Sequence, residues 1–496
     1  MQQLDFWIAK RASQSPDKTA LIQIETGEAW TYKELMQHAG WWSNKFSKQQ
    51  LQQGDRVAIL MENSIESFAI LIACRLSELI YVPLNTKLSI PELRAVLSDC
   101  TPALLITDDV HSERAELLLP AKLLTCVGSE LVEPSTYSWH DDPQLPWMII
   151  YTGGTTGKPK GVVLSYEAVT VNAMNTVVSW GLNDKDCTLN YMPLFHTGGI
   201  NALALPILLA GGTVIIGQKF DPEKAIRAVD DYKTTVSLFV PTMYQLMIET
   251  DYFKESDFPT VRVFLSGGAP CPTPIYESFQ RKGLLFKEGY GLTEAGPNNF
   301  FIDAEVAMKK KGAIGKSMLF NEVKIVDRAG KLCAQGEVGE LYLKGSHVFK
   351  QYWNNKEATT NTFDEGWLKT GDLAKMDKDG DYYIVGRKKE MIISGGENVY
   401  PQEVEQCLIA HEAVQEVSVI GIPNEKWGEC VVAFIIAENP SENLQQQLFQ
   451  YCKEQLANYK VPKQIHFLQE LPKTAVGKID KKQLVNYIFI KEQNIV

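Results

Sequence analysis

No Cys-x-x-Cys pair occurs in the chain, and its nine cysteines are scattered. That spacing argues against a disulfide framework and the common zinc sites. It predicts reduced thiols in a cytoplasmic protein. Each thiol then reads as a small buried apolar group. Positive charge is also short, with 49 Lys and Arg against 60 Asp and Glu and a net charge of -11. That sign argues against nucleic acid or an anionic membrane as the main partner, yet leaves room for a small anionic substrate gripped by a few local cations. The first residues, Met1-Gln-Gln-Leu-Asp-Phe-Trp7, lack the basic-then-apolar order expected of a secretory leader. One run, residues 197–218, carries no Asp, Glu, Lys or Arg, but Pro206 and Gly211-Gly212 interrupt it. The pieces are shorter than the roughly 20 residues a membrane helix needs, so no integral membrane contact is expected.

What is present is ordinary globular material: 496 residues, 45% apolar and 22% charged. The length predicts several subdomains. Residues 1–150 read as alternating helices and short apolar strands, with strands at 19–23, 56–60, 81–84 and 103–107, a helix starting at Thr31, and helices at 64–77 and 89–100. Thr31 with Glu34 forms a capping-box pattern. Apolar strands separated by helices imply an α/β fold with mostly parallel, doubly covered sheets.

The stretch Tyr151-Thr-Gly-Gly-Thr-Thr-Gly-Lys-Pro-Lys-Gly161 follows the apolar run 146–150. Glycine lets the backbone approach a ligand closely, and Thr hydroxyls and Lys ammonium groups are donors suited to phosphate. The stretch is not a Walker A loop, because Pro159 stands after Lys158 where a Ser or Thr is required. Two further apolar strands, 261–265 and 285–288, run into polar glycine-rich loops, Ser266-Gly-Gly-Ala-Pro270 and Gly289-Tyr-Gly-Leu-Thr-Glu294. Ligands bind beyond the carboxyl ends of parallel strands, so the three loops are candidate walls of one site, or else three unrelated turns. From 312 to 381 the texture changes to short strands and turns, which predicts an antiparallel meander or small barrel. It contains Trp367-Leu-Lys-Thr-Gly-Asp372. The charged segment Gly386-Arg-Lys-Lys-Glu390 reads as a strand-free break, followed by a compact α+β unit that ends with the exposed loop 471–478.

In this order the pieces resemble the adenylate-forming enzymes: acyl- and aryl-CoA synthetases, firefly luciferase and peptide-synthetase adenylation domains. The resemblance covers nearly the whole chain. It rests on residues 152–161, Pro193-Leu-Phe-His196, Tyr290-Gly-Leu-Thr-Glu294, Thr370-Gly-Asp372, Gly386-Arg387 through Pro401-Gln-Glu-Val-Glu405, and the segment 472–478. One departure is visible: Gly153 stands where the family's phosphate loop usually has Ser.

The resemblance implies a large α/β AMP-binding domain over 1–387 and a small mobile α+β domain over 388–496. It implies ATP, Mg2+ and CoA as reactants, a small carboxylate as substrate, and a monomer or homodimer. Thr152, Gly153, Gly154, Thr155, Thr156, Gly157, Lys158 and Lys160 are expected to hold phosphates, with Thr293 on the α-phosphate. Thr152 and Glu294 are the expected magnesium ligands. Gly268, Ala269, Pro270, Glu288, Gly289, Tyr290 and Gly291 are expected to form the adenine slot, with Asp372 and Arg387 on the ribose. Lys478 is the expected adenylation lysine and Lys389 the hinge. Ser394, Gly395 and Gly396 are expected in the CoA channel. His196, as gate and orienting residue, is expected at the acyl pocket with Gly198, Gly199, Asn201, Phe239, Pro241, Met243 and Gly296.

The acid is the least legible part. The expected pocket residues are mainly small or apolar, and no Asp stands out to pair with an α-ammonium group. A medium- or long-chain fatty acid is therefore expected first. An aryl acid is the alternative. The order Leu84-Asn-Thr-Lys-Leu88 also resembles the o-succinylbenzoate–CoA ligases. The rival from another class is a carrier-loading or nucleotide-binding protein that stops at the adenylate without CoA.

Overall fold

The computed structural model describes residues 6–119, 122–126, 128–132, 142–153, 159–473 and 479–493. The first sheet has the strand order Gln351–Tyr352, Lys160–Ser165, Pro146–Thr152, Ile80–Pro83, Arg56–Leu60, Leu104–Thr107 and Leu123–Thr125. Its centre is parallel, and Ile80–Pro83 and Leu104–Thr107 are buried throughout. That explains their unbroken apolar sequences: helices cover both faces, so no side is left for polar residues. Helix Ile65–Leu76 starts at Ser64, whose side chain accepts from Ser67 N, and Tyr32–Lys48 starts at the Thr31–Glu34 capping box. Pro146–Thr152 and Lys160–Ser165 form an antiparallel hairpin in which Thr152 faces Lys160.

A second core lies beneath the parallel strands Val236–Phe239, Val263–Ser266 and Phe286–Glu288. At its centre Tyr244 meets Phe239, Phe264, Phe279 and Phe286 at centroid distances of 5.1–6.3 Å, and its hydroxyl donates to Leu265 O at 2.8 Å. Edge-on ring contacts with the polar handle satisfied let a Tyr sit fully inside. The ends of these three strands therefore stand on a rigid floor.

The predicted meander is antiparallel and runs through Glu322–Val326, Gly339–Lys344, Trp367–Met376 and Tyr382–Arg387. Gly386 and Arg387 belong to its last strand, so the expected strand-free break is corrected: the strand continues to Arg387. A charged residue is tolerated there because Arg387 faces Asp372 across the ladder. Residues 392–467 form another sheet, ordered Glu397–Val399, Ile392–Ser394, Gly428–Ala437, Val414–Asn424, with Gln464–Phe467 pairing parallel to Gly428–Ala437. It has its own buried cluster, and among the described residues none of its strands pairs with the sheets before residue 388. The α/β expectation holds.

All nine cysteines are free. Among the described residues no helix is long and apolar enough to cross a membrane. Residues 197–218 fold instead into a π-turn at Gly198–Ala202, a short helix Ala204–Ala210 ended by Gly211 (φ +91), and the strand Thr213–Ile216.

Candidate active site

The loop that follows Phe286–Glu288 touches both ends of the candidate site. Gly289 N donates to Ser266 O at 2.8 Å and holds it beside the neighbouring strand end, where Gly268, Ala269 and Pro270 are exposed. Gly268 has φ +82, a conformation that favours glycine. The Tyr290 hydroxyl donates to Asp372 Oδ2 at 2.6 Å, and Arg387 Nε meets Asp372 Oδ1 at 2.8 Å. Asp372 itself is buried, so each of its oxygens is fixed by a different element. An ionised carboxylate is acceptor-only, the chemistry that suits ligand hydroxyls. Gly291 has no room for a side chain, since a Cβ there would lie 2.2 Å from Pro297 O.

At the other end of the loop Thr293 is buried in a short 3-10 turn with Glu294 beside it. Phe349 N donates to Glu294 O at 2.7 Å, and the Tyr352 hydroxyl donates to Glu294 Oε1 at 2.7 Å. The ammonium of Lys160 lies 5.0 Å from the centroid of the Tyr352 ring. One aromatic side chain thus joins the hairpin to the carboxylate, by cation–π attraction on its face and a hydrogen bond at its tip. Thr152 Oγ1 faces Lys160 O at 3.4 Å. Among the described residues nothing lies within 4 Å of a Cβ position on Gly153. Gly154, Thr155, Thr156, Gly157, Lys158 and Lys478 lie outside the described residues. The second Glu294 oxygen accepts no hydrogen bond from a described residue, and a hard oxygen donor of this kind suits Mg2+.

Two expected site residues stand elsewhere. Glu288 turns into the protein: Tyr276 donates to its Oε1 at 2.8 Å and Cys271 N to its Oε2 at 3.0 Å. It braces the loop 266–271 from behind and is corrected from nucleotide contact to support. Burial pushes its carboxyl up to about 7, against the smaller opposing effect of these two donors. Phe239 has no exposed surface and packs edge-on against Tyr244. Its neighbour Leu238 borders the small cavity beside Met192, Gly198, Gly199 and Ala204. Adjacent residues of a strand face opposite ways, so an error of one position exchanges core for wall. Met243 packs partly buried on the same aromatic core, and Pro241 is buried at the start of the helix Pro241–Ile248.

The rest of the acyl side is tightly built. His196 Nδ1 accepts from Gly198 N at 3.2 Å, which leaves Nε2 carrying the proton of the neutral ring. A Cβ on Gly199 would lie 2.2 Å from Pro193 O, and one on Gly296 (φ +71) 2.5 Å from Asn172 Cγ. Asn201 Nδ2 donates to Thr197 Oγ1 at 2.9 Å. In the last sheet Ser394 is buried, Gly395 N donates to Trp427 O at 2.8 Å, and Gly396 (φ +85) is open. Lys389 sits in the 3-10 turn Lys388–Glu390 and its pKa is lowered, mainly by burial and then by Arg387.

A family model of the AMP-binding enzymes matches residues 8–353, and one of the AMP-binding enzyme C-terminal domain matches residues 403–478. The chain belongs to the AMP-binding enzymes. It is 36% identical over 489 residues to a feruloyl-CoA synthase from an Amycolatopsis species, covering 97% of this chain and 98% of the relative. It is 33% identical over 496 residues to a long-chain-fatty-acid–CoA ligase of Mycobacterium tuberculosis, covering 98% of each. Among solved structures, the o-succinylbenzoate CoA synthetase of Bacillus subtilis in complex with its acyl-adenylate intermediate superposes with a TM-score of 0.88 at 32% identity, over 98% of both chains. These full-length likenesses to CoA ligases make the chain an acid–thiol ligase of the AMP-binding family. The relatives share no single acid.

For an AMP-binding enzyme, the residues missed in the sequence are instructive. Tyr352 lies in Gln-Tyr-Trp-Asn with no glycine, hydroxyl cluster or lysine to mark it, and only the edge pairing of Gln351–Tyr352 with Lys160–Ser165 brings it to Glu294. Trp427, partly exposed against Gly395, gave no signal either.

The Glu288 brace yields a pH prediction. Its folded pKa of about 7 stands above the ordinary 4.5, so the folded state holds its proton more tightly than the unfolded state. Stability from this group is complete below 4.5 and is lost as pH rises through about 7. Glu288→Gln keeps the acceptor without the charge. Relative to wild type, it should gain stability on the order of 1–3 kcal/mol between acidic and mildly alkaline buffer. Urea unfolding of both proteins at pH 5 and pH 8 measures it, and a constant difference between them contradicts the assignment.

Proposed function

We propose that the protein is an ATP-dependent carboxylic acid–CoA ligase that works through an acyl-adenylate and acts on a medium- or long-chain fatty acid. The observation that carries this reading is the single loop 289–295. It fixes the Asp372–Arg387 carboxylate and guanidinium through Tyr290 and presents Glu294 beside Lys160 through Tyr352. One loop at the end of a parallel strand thereby links groups suited to ribose with groups suited to phosphate. An aryl acid is the second reading, favoured by the feruloyl-CoA and o-succinylbenzoate relatives.

In the first half-reaction a carboxylate oxygen of the acid bonds to the α-phosphorus of ATP, and pyrophosphate leaves with the electron pair of the broken P–O bond. In the second, the CoA sulfur bonds to the acyl carbon and AMP leaves. Asp372 accepts from ribose hydroxyls while Arg387 orients it. Tyr290 and the exposed backbone at Gly268–Pro270 bound the adenine. Lys160 and the loop 153–158 hold the pyrophosphate end, and Thr293 the α-phosphate. Thr152 and Glu294 would hold Mg2+, which offsets charge on the leaving pyrophosphate. Lys478 acts as a fixed cation between the attacking carboxylate and the phosphate. The division falls at 387/388: the C-terminal unit pivots at Lys389 and brings Ser394, Gly395 and Gly396 to the CoA path. Free thiols suit a cytoplasmic setting.

AMP release measured over a panel of fatty acids, benzoates, hydroxycinnamates and o-succinylbenzoate tests the reading, with the largest CoA-dependent signal expected on a fatty acid. Pyrophosphate exchange without thioester on any acid turns the assignment to a carrier-loading enzyme. Lys478→Ala should lower adenylation on the order of 10²–10³-fold while largely sparing thioester formation from supplied acyl-adenylate. Equal loss of both steps removes Lys478 from the role. Tyr352→Phe frees the Glu294 carboxylate and should raise the Mg2+ concentration for half-maximal adenylation by roughly 3- to 10-fold, the size of one ordinary hydrogen bond. An unchanged magnesium titration separates Tyr352 from the metal.

A further inference from the structure

The turn Lys388–Glu390 is held on both sides of its middle residue. Lys388 Nζ meets Glu340 Oε2 at 2.6 Å, and Glu340 Oε1 also accepts from Gly371 N at 3.3 Å, next to Asp372. Glu390 Oε2 meets Lys481 Nζ at 3.2 Å. Lys481 meets Glu405 Oε1 at 3.0 Å as well, and that oxygen accepts from Val419 N at 2.9 Å. Lys388 is therefore tied to the nucleotide-side sheet and Glu390 to the last sheet, with Lys389 between two anchors.

Lys481 also follows directly on a neck formed by residues 472–473 and 479–480. That neck is closed by a bridge between Lys473 and Ile479 and by Asp480 N donating to Pro472 O at 2.7 Å. Lys473 is fastened in turn to Glu416 at 3.1 Å. Burial works against the Lys481 charge, and Glu405 and Glu390 more than offset it, so the ammonium stays protonated.

We infer that Lys481, through Glu390 and Glu405, is a positioning residue that sets the neck at 472–473 and 479–480 relative to the pivot, and that the Lys388–Glu340 and Glu390–Lys481 pairs confine the rotation to Lys389. This rests on the proposed ligase reading with Lys478 as the adenylation lysine. The tie lies on the C-terminal side of Lys389 and moves with that unit. Its loss misaligns the neck that carries Lys478 and matters for the half-reaction that uses Lys478, and little for the other.

The test compares half-reactions in the full-length protein: ATP–pyrophosphate exchange, and thioester formation from supplied acyl-adenylate and CoA. Lys481→Met should lower exchange on the order of tenfold and change thioester formation by less than about threefold. Lys481→Arg, which keeps the charge and reach, should restore most of the exchange. Equal loss of both half-reactions, or no rescue by Arg, reduces Lys481 to a stability residue and overturns the inference. If the Met variant does not fold, Glu390→Gln carries the test, because the Glu405 contact remains. The same split at smaller size supports the inference, and unchanged exchange overturns it. Wild-type protein that gives neither half-reaction on the acid panel fails the ligase reading itself, and the inference with it.

Discussion

The construction depends on one buried carboxylate. Asp372 is reached by Tyr290 from the loop of a parallel sheet and by Arg387 from the next strand of an antiparallel one. Burying a charge is costly unless it is paired and hydrogen-bonded. Here the payment comes from two separate layers, so they can satisfy Asp372 only when seated together. Removing either partner would leave the charge half-compensated and uncouple the meander from the strand ends that carry Gly268 and Thr293.

Phosphate-side order has a different origin. Tyr352 is placed by two residues of edge pairing, and its ring and hydroxyl act on Lys160 and Glu294 at once. The strand ends rest on the aromatic floor around Tyr244, which lets exposed glycine loops keep their relative positions. Rigid support below and sparse side chains above is the arrangement expected where a nucleotide must approach backbone closely. Glu288 belongs to the support: it spends a buried carboxyl on holding Cys271.

Much of this was legible in the sequence. Apolar strands broken by capped helices gave the α/β class, and Thr31 with Glu34 forms the capping box expected of it. The loops at 266–270 and 289–294 do stand at adjacent strand ends, as glycine and hydroxyl content suggested. What failed depends on facing and on distant pairing. Phe239 and Leu238 differ by one residue and by an entire side of the sheet. Glu288 is polar in a loop-flanking position, and only the place of Tyr276 shows that it points inward. Arg387 is expected on the ribose with Asp372, but its place in a strand shows only once Asp372 is set opposite it. Tyr352 needed a strand pairing nearly two hundred positions away, which no local pattern encodes.

The short strand Gln351–Tyr352 also closes the outer side of the first sheet. Without it, the Lys160–Ser165 strand would offer a row of open backbone donors and acceptors, the template on which another chain can add. Its seat is narrow: Trp353 N donates to Gly161 O at 2.7 Å, and a side chain on Gly161 would lie 2.8 Å from Ile149 Cγ2 and 3.1 Å from Trp353 Cβ. The segment that steadies Glu294 is thus the same one that covers part of that edge. Damage to it should show first as aggregation during expression, before any kinetic defect can be measured.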